Sequence, residues 1–501
     1  MTPVVATRSG RVRGAAGNGV SVFRGIPYAQ PPVGSLRFAA PVPHDAWDGV
    51  RDALEFDSPP PQPDRITSTD EWLTANVWTP STHPPVASLA QSTEATRLPV
   101  MVWIHGGRFT SGSGAEPEYD GSHLAARGAV VVTINYRVGV EGFMLIDGAP
   151  PNRGLLDQIA GLRWVNENIA SFGGDPANVT VFGESAGAAS VALLMCAPPA
   201  VGLLHRGIAE SVPAVMFGVD LAGDIAGMVA RRVGRGPTLA DLAAVPAPDL
   251  VLAATEVEAS APGHEDRWGY GRAVRGAIFG PVVDGTVVPA SPWQAMAAGA
   301  ARGVDLLVGH NRDEYNIVIA GAGGPQSVTE AASERALRTL PPRPSAAKEY
   351  RAAHPGADHA ELYQLVCSDF VYRMPTLHLA QAHTASGGRT YLYEFCWDAT
   401  PIGAAHTVEI PAVFGTLGSP YGAQLYGTPP PAKAVALSDD MGRAWQSFAQ
   451  NGDPGWPQYD ATGQLTRVFG AESTVARYPE QVSQAIWAGY EFEPFPLQVS
   501  D

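Results

Sequence analysis

The pentapeptide Gly183-Glu184-Ser185-Ala186-Gly187 constrains the fold of this chain more than any other feature. It follows a short apolar, β-branched run at 179–182 and precedes a run of small residues at 188–196 that is typical of a helix. A strand, a tight G-x-S-x-G turn and a helix form a nucleophile elbow, which raises a serine hydroxyl above the carboxyl end of a sheet. Side chains at the glycine positions would collide with the neighbouring strand or helix. Taken alone, the motif is also compatible with a plain glycine-rich loop.

The remaining chain alternates continuous apolar strands with amphipathic helices, a pattern that favours a mostly parallel sheet with helices on both faces. Strands are predicted at 98–104, 129–135, 304–309 and 390–397, with short strands broken by glycine within 4–30. Helices are predicted at 154–172, 375–385 and 437–450, with an alanine-rich helical segment from about 212 to 277. A polar loop is predicted at 81–98.

Composition limits the classes of function that the chain can have. The 501 residues are 45% hydrophobic and carry a net charge of −16, which argues against nucleic acid or an anionic membrane as a partner. Cys196, Cys367 and Cys396 lie far apart without metal-binding spacing, so we expect reduced thiols, no metal and no cofactor. Neither a signal peptide at the N-terminus nor a long apolar span is visible. We expect a soluble, cytoplasmic protein, and a monomer by default.

A serine hydroxyl is a weak nucleophile at neutral pH and needs a base, which a carboxylate orients in turn. In folds with such an elbow, the acid and then the histidine follow the serine along the chain. Of the five histidines after residue 350, four lie in or beside predicted helices. His406 alone lies in a glycine- and alanine-rich loop directly after an apolar strand, and we predict that it is the base.

Two neighbouring carboxylates are candidates for the acid. The predicted strand at 304–309 runs into a loop that contains Asp313 and Glu314. Because neighbours in a loop point in different directions, only one of them should reach the histidine. Spacing alone does not choose between the two.

An oxyanion hole is the third requirement of serine catalysis. Gly106 and Gly107 follow the strand predicted at 98–104 and can bring bare backbone close to the serine. Together with the N–H of Ala186, they offer two or three donors to a developing negative charge. Losing one such donor typically costs about 3 kcal/mol of transition-state stabilisation.

Long strings of the sequence match one known family in order. They include "GIPYAQPPVGSLRF" (25–38), "VWIHGGRFTSGSG" (102–114), "FGGDPANVTVFGESAGAAS" (172–190), "GHNRDE" (309–314) and "GAAH" (403–406). On these motifs the chain resembles the type-B carboxylesterases, which include cholinesterases and bacterial para-nitrobenzyl esterases. The resemblance implies an α/β-hydrolase fold over residues 1–501 as a single domain, with a twisted, mostly parallel sheet. It places helical insertions over the active site at roughly 212–277 and 316–389.

The same resemblance implies roles for individual residues. Ser185 corresponds to the nucleophile, His406 to the base, and Glu314 rather than Asp313 to the acid. The implied oxyanion donors are Gly107, Arg108 and Ala186. Residues that would support the catalytic groups from behind are Glu184, Ser211 and Gly106.

Three departures from the family pattern stand out. Arg108 occupies the third position of a glycine run, so we expect a less roomy oxyanion hole and poor activity on esters of bulky tertiary alcohols. Its side chain could place a cation near the site or point to the surface. Tyr315 follows the acid where glycine is usual, which makes the backbone there less permissive. Cysteines that the family usually has near Pro60 and Trp72 are absent, as expected for an intracellular relative with a short loop and no lipase-like lid.

The predicted function is hydrolysis of small to medium uncharged carboxylic esters through an acyl-enzyme. Carbamate or amide hydrolysis by the same groups is the main alternative, and a long-chain lipase is another. A non-catalytic, cholinesterase-like binding module is the alternative outside enzymes, although every position of the implied triad is filled. Aromatic residues of the insertions are candidates either for the substrate pocket or for core packing: Trp268, Tyr270, Phe370, Tyr372 and Trp397.

Overall fold

The computed structural model describes residues 2–65, 67–81 and 97–498. Its strands are β1 (Val4–Ala6), β2 (Arg11–Arg13), β3 (Ala15–Gly17), β4 (Val20–Pro27), β5 (Val50–Asp52), β6 (Thr74–Pro80), β7 (Leu98–Ile104), β8 (Val130–Ile134), β9 (Gly174–Glu184), β10 (Arg206–Glu210), β11 (Asp305–Asn311), β12 (Thr390–Phe395), β13 (Leu465–Phe469) and β14 (Thr474–Arg477).

The α-helices alternate with the strands over most of the chain. They are α1 (Ser122–Ala126), α2 (Gly139–Phe143), α3 (Arg153–Asn168), α4 (Ala186–Cys196), α5 (Val219–Arg232), α6 (Leu239–Leu242), α7 (Ala247–Ser260), α8 (Glu265–Trp268), α9 (Tyr270–Arg275), α10 (Pro292–Ala297), α11 (Asn316–Gly321), α12 (Glu330–Thr339), α13 (Ala346–Ala353), α14 (His359–Ser368), α15 (Met374–Ala385), α16 (Ile410–Phe414), α17 (Pro420–Tyr426), α18 (Ala432–Asn451) and α19 (Gln481–Ile486).

Within the described residues, one large sheet has the strand order β14-β13-β12-β11-β10-β9-β7-β8-β6-β4-β3. The seven central strands, from β13 to β8, pair in parallel. The edges are antiparallel, with β14 on one side and β6, β4 and β3 on the other. A small second sheet joins β1, β2 and β5. The predicted mostly parallel α/β-hydrolase architecture is therefore confirmed.

Strand β7 shows how this sheet is buried on both faces. Val100, Val102 and Ile104 belong to the apolar core that α3 and α4 also line. Met101 and Trp103 belong to the core on the other face, to which α18 contributes. Successive side chains of a strand point to opposite faces, so a strand between two helical layers reads as a continuous apolar run.

Several predicted boundaries differ from the observed ones. The helix predicted at 154–172 ends as α3 at Asn168 and continues as a 3-10 turn, Ile169–Phe172. Strand β9 begins at Gly174, five residues before the predicted run, and α18 begins at Ala432 rather than at 437. Strands β5, β6, β10, β13 and β14 were not predicted. All of them except β6 are short or have exposed positions, whereas β6 is fully buried. Most of the predicted polar loop at 81–98 lies outside the described residues.

Two helical segments interrupt the second half of the sheet. Helices α5 to α10 lie between β10 and β11, and α11 to α15 lie between β11 and β12. A π-helical turn, Asp369–Arg373, joins α14 to α15. In the part of the chain that the structure describes, no helix is both long and apolar enough to cross a lipid bilayer.

Candidate active site

Ser185 lies in a strained turn between β9 and α4. Its φ of 56° and ψ of −120° are rare for a residue with a side chain. A Cβ atom added to Gly183 or Gly187 would lie 2.6 Å or 2.0 Å from the carbonyl oxygen of Ile104 in the neighbouring strand β7. The Ser185 N–H donates to the carbonyl of Glu210 on β10, at 2.9 Å. The turn is therefore held between two strands, and only glycine fits on either side of it.

His406 lies between two carboxylates. It belongs to the loop after β12, and its Nδ1 atom is 2.7 Å from Oε2 of Glu314. Its Nε2 atom is 3.0 Å from Oε1 of Glu184, the residue directly before Ser185. The imidazole is 7% exposed. The structure thus brings Glu184, Glu314 and His406 into direct contact, with the Nε2 side of the imidazole against the residue that precedes Ser185.

The charge of His406 depends on a balance between burial and these carboxylates. Burial by itself lowers the pKa of His406, but the charges of Glu184 and Glu314 outweigh it and hold the pKa well above 6.5. Burial also raises the pKa of Glu184, against the opposing effect of His406. A buried carboxyl and an imidazole 3.0 Å apart compete for one proton, so the two groups titrate as a pair.

The two adjacent carboxylates before Tyr315 point in different directions. Glu314 is fully buried and contacts His406. Asp313 accepts hydrogen bonds from the side chain of Arg312, at 3.0 and 2.9 Å, and from the backbone N–H of Ala404, at 3.1 Å. Of the pair that spacing could not separate, Glu314 is the one beside the histidine.

The loop that follows β7 lies directly against the elbow. A Cβ atom on Gly106 would be 2.9 Å from Oε2 of Glu184 and 3.3 Å from Cβ of Ser185. Gly107 has a φ of +112°, and a Cβ atom there would be 2.1 Å from the carbonyl oxygen of Ser111. Both positions therefore require glycine, one for close approach and the other for its turn.

The three predicted oxyanion donors have free backbone N–H groups. Among the described residues, the N–H groups of Gly107, Arg108 and Ala186 have no hydrogen-bond acceptor. Ala186 is also the first residue of α4, where the positive end of the helix dipole favours negative charge. A buried site with free donors beside the serine can stabilise an oxyanion.

The side chain of Arg108 leaves this site rather than filling it. It is 55% exposed, and its Nη1 atom donates to Oε1 of Glu258 at 2.9 Å. The same nitrogen donates to the carbonyl of Gly276 at 2.7 Å. The sequence left open whether this cation lies near the site or points to the surface. In the structure it points to the surface, at the edge of the helical segment between β10 and β11.

Four buried glutamates interact with one another at this site, and each is at most 2% exposed: Glu184, Glu210, Glu314 and Glu409. Glu210 accepts from Nε1 of Trp445 at 2.8 Å, and burial raises its pKa to about 8. Glu409 accepts from Nδ2 of Asn311, and burial and neighbouring carboxylates raise its pKa well above 4.5. These two carboxyl groups therefore stay protonated at neutral pH more than free glutamates do.

Sequence reasoning missed Glu210 and Glu409. Only their positions in the sequence could have pointed to these two residues, because Glu409 lies three residues after His406 and Glu210 directly precedes Ser211. Ser211 itself lies at the end of β10 with a φ of +59°, and its N–H donates to the carbonyl of Gly309 at 2.7 Å. Its buried hydroxyl has no partner among the described residues.

Tyr372 is the aromatic candidate that reaches the site. Its ring packs against His406 with 4.0 Å between centroids and an angle of 31°. The residue lies in the π-helical turn between α14 and α15, and such turns are frequent at functional sites. By contrast, Trp268 donates to Asp224 and Phe370 packs against Trp487, as expected of core residues.

The chain is similar to known proteins over almost its full length. A family model described as the carboxylesterase family matches residues 1–487. The chain is 36% identical to the para-nitrobenzyl esterase of Bacillus subtilis, over 95% of this chain and 96% of that protein. It is 33% identical to a cocaine esterase of Oryctolagus cuniculus, over 92% and 90%.

Solved structures give the same result. A carboxylesterase of Geobacillus stearothermophilus superposes with a TM-score of 0.84 and 36% identity, covering 97% of this chain and 99% of that one. This protein, like the sequence relatives, is named as an esterase. Since sequence and fold agree from end to end, this chain belongs to the carboxylesterase family and is a serine hydrolase of carboxylic esters.

Proposed function

We propose that Ser185 is the nucleophile of this esterase, His406 its base and Glu314 its acid. The observation that carries the proposal is the position of His406, which is held by Glu314 at 2.7 Å and faces the elbow that presents Ser185. Ser185 attacks the ester carbonyl while Nε2 of His406 takes the hydroxyl proton. The N–H groups of Gly107, Arg108 and Ala186 receive the oxyanion.

Glu184 has a supporting part in this proposal. Nε2 of His406 must carry no proton before it can accept the serine proton. The proton for which Nε2 and Glu184 compete must therefore first move to the Glu184 carboxylate or dissociate. Once the imidazolium forms, carboxylates on both sides stabilise it. The imidazolium then protonates the leaving alkoxide, and an activated water molecule hydrolyses the acyl-enzyme in the same way.

We also propose the substrate range and the setting of the enzyme. Small to medium uncharged esters would enter beneath the segments at 212–277 and 316–389, which act as a cap within one domain. A single continuous apolar core supports the assignment of these segments to the same domain as the sheet. This core contains Leu250 and Phe370 of those segments together with strand residues such as Val102. A cytoplasmic location fits the three free thiols of the chain, and a monomer is the default expectation. Sedimentation of the purified protein and fractionation of its host would test these two points.

The test is hydrolysis of p-nitrophenyl esters from acetate to laurate by the protein and by Ser185→Ala. We expect turnover that peaks at short chains and falls by about 10⁴-fold or more in the variant. An organophosphate should label the parent protein once per chain and leave the variant unlabelled. Labelling without ester turnover would direct attention to carbamates and amides. Turnover that survives in Ser185→Ala would rule out the proposed nucleophile.

A further inference from the structure

Two loops of the proposed site reach the same short segment of the cap. Nη1 of Arg108, in the oxyanion loop, donates to the carbonyl of Gly276 at 2.7 Å. The hydroxyl of Tyr315, the residue after Glu314, donates to the carbonyl of Val274 at 2.8 Å. Both carbonyls lie at the C-terminal end of α9, where a helix leaves its carbonyl groups without partners inside the helix. Residues 274–276 therefore accept one side-chain hydrogen bond from each loop.

The oxyanion loop needs support of this kind. Gly107, Arg108 and Phe109 follow one another with φ values of +112°, +56° and +61°. Positive φ is uncommon for residues with side chains and persists where surrounding contacts impose it. Phe109 is held on one side by its packing against Phe143, at 4.7 Å between ring centroids. The carbonyl of Phe109 also accepts from the N–H of Gly139 at 2.7 Å, and the carbonyl of Gly107 accepts from the N–H of Ser111 at 3.0 Å. The side chain of Arg108 adds a hydrogen bond from this loop to the cap.

Arg108 is held by a second element of the cap as well. Its Nη1 atom also donates to Oε1 of Glu258 on α7, at 2.9 Å. A single nitrogen thus bridges α7 and the end of α9. Because the N–H of Arg108 is one of the three free donors beside Ser185, a shift of this side chain moves a group that would contact the oxyanion.

Tyr315 supports the acid loop in a comparable way. Its backbone adopts an ordinary helical conformation, with φ −75° and ψ −6°, so glycine is not required at this position. The N–H donates to Oγ of Ser368 at 3.0 Å, and the side chain is 4% exposed. The ring and hydroxyl therefore fix the residue directly after Glu314, whose carboxylate contacts His406.

We propose that residues 274–276 are a shared anchor by which the cap positions both the oxyanion loop and the acid loop, with Arg108 and Tyr315 as positioning residues. Arg108 and Tyr315 occupy two positions at which the family pattern usually has glycine. In this chain each carries a polar side chain that ends on the same segment of the cap. The inference rests on the proposed roles of Glu314 and of the three N–H groups.

The first arm of the test concerns the oxyanion loop. Arg108→Ala should lower kcat/KM for p-nitrophenyl butyrate by about tenfold, because misplacing one donor costs less than removing it. The inhibition constant for an aryl trifluoromethyl ketone, which forms a tetrahedral adduct, should rise by a similar factor. Arg108→Lys should recover most of both losses, since one ammonium group can serve both acceptors that Nη1 serves now.

The second arm concerns the acid loop. Tyr315→Phe removes only the hydroxyl that donates to Val274. If Glu314 is held less firmly, it raises the pKa of His406 less, and the acid limb of the kcat/KM profile should move to lower pH. Tyr315→Phe should also lower the pH-independent plateau of kcat/KM, by about threefold. At that plateau the double variant of Arg108→Ala and Tyr315→Phe should lose less than the product of the two single losses, because either change already loosens the shared segment.

Arg232→Ala is the matched control. Arg232 pairs with Glu256 on α7 at 3.0 Å, and its side chain is 45% exposed, close to the 55% of Arg108. This variant should keep kcat/KM and the inhibition constant within twofold. The proposal fails if Arg108→Ala behaves like the control, if Tyr315→Phe leaves the pH profile unmoved, or if the two losses simply multiply.

Organophosphate labelling separates failure of the anchor from failure of the proposed triad. If the parent protein is labelled at Ser185 and the variants are not impaired, the roles of the triad stand and the anchor is refuted. If the parent protein is not labelled at all, the proposed roles themselves are wrong, and the anchor is refuted with them.

Discussion

At the scale of single residues, the surroundings of His406 decide how the site titrates. Glu314 at Nδ1 and Glu184 at Nε2 each favour the charged imidazole, whereas burial opposes it. The effect of the carboxylates is larger than that of burial, and the pKa of His406 lies well above its ordinary value. Because only the neutral imidazole can accept the serine proton, activity should rise with pH through that elevated pKa.

The first prediction concerns Glu184→Gln. The variant removes one negative charge from beside Nε2, so the pKa of His406 should fall and the neutral form should persist to lower pH. We expect the acid limb of kcat/KM to move to lower pH by about one unit or more. The measurement is a pH profile with p-nitrophenyl butyrate between pH 4 and 9. An unmoved limb would show that Glu184 does not control the charge of His406.

The second prediction separates the adjacent carboxylates. Glu314→Gln keeps the size of the side chain but loses the charge that holds Nδ1, and we expect kcat to fall by about 10³- to 10⁴-fold. Asp313→Asn is the control, since Asp313 contacts Arg312 and Ala404 rather than His406. It should keep kcat within tenfold. Equal losses in the two variants would contradict the assignment of Glu314.

At the scale of elements, the elbow depends on how closely β7, β9 and α4 approach one another. Gly187 is the second residue of α4, and its backbone lies against the carbonyl of Ile104 on β7. Helix α4 is almost wholly buried, so it cannot move away to accept a larger residue. Dense packing at this junction is what holds Ser185 in its strained conformation.

Glycine-to-alanine substitutions in two helices test this. In Gly187→Ala the new methyl group would be 2.0 Å from a backbone oxygen, and we expect a loss of about 3 kcal/mol or more of unfolding free energy. Gly223→Ala, in α5, meets no atom within 4 Å and should gain up to about 1 kcal/mol. Urea unfolding measures both. A stable Gly187→Ala protein with full activity would contradict the packing argument.

At the scale of the whole molecule, a buried ion pair joins the sheet to its helical layer. Arg137 follows β8, and Asp157 belongs to α3; both side chains are fully buried. The guanidinium donates to the carboxylate from Nε at 2.8 Å and from Nη2 at 2.7 Å. The backbone N–H of Arg137 donates to the same carboxylate at 3.0 Å. Such a pair is costly to break because it leaves one charge buried alone.

Asp157→Asn should therefore destabilise the protein by about 3 to 5 kcal/mol in urea unfolding. Arg232→Ala breaks an exposed pair with Glu256 and should cost no more than about 1 kcal/mol. The contrast tests burial rather than the number of ion pairs. Similar losses in both variants would mean that burial does not set the energy of the Arg137–Asp157 pair.

The sequence by itself determined the class of fold, the elbow and most of the central elements. The signals for these are local, since apolar runs and helical spacing reflect burial on one or two faces, and two glycines about a serine require a sharp turn. Strands β5, β10, β13 and β14 were not predicted because short or half-exposed segments carry too little apolar pattern. Strand β6 was not predicted because threonine, asparagine and proline interrupt its apolar run, although every residue of it is buried. The motifs also pointed to Ser185 and His406, and the family resemblance pointed to Glu314.

Only the tertiary structure decided which side chains meet. Asp313 and Glu314 are neighbours in sequence, but the direction of each depends on the loop that folds against it from residues 403–406. The contact of Glu184 with His406 joins residues more than two hundred positions apart. Arg108 and Tyr315 end on residues 274–276 for the same reason. Packing between distant segments fixes such directions, and no local pattern in the chain encodes them.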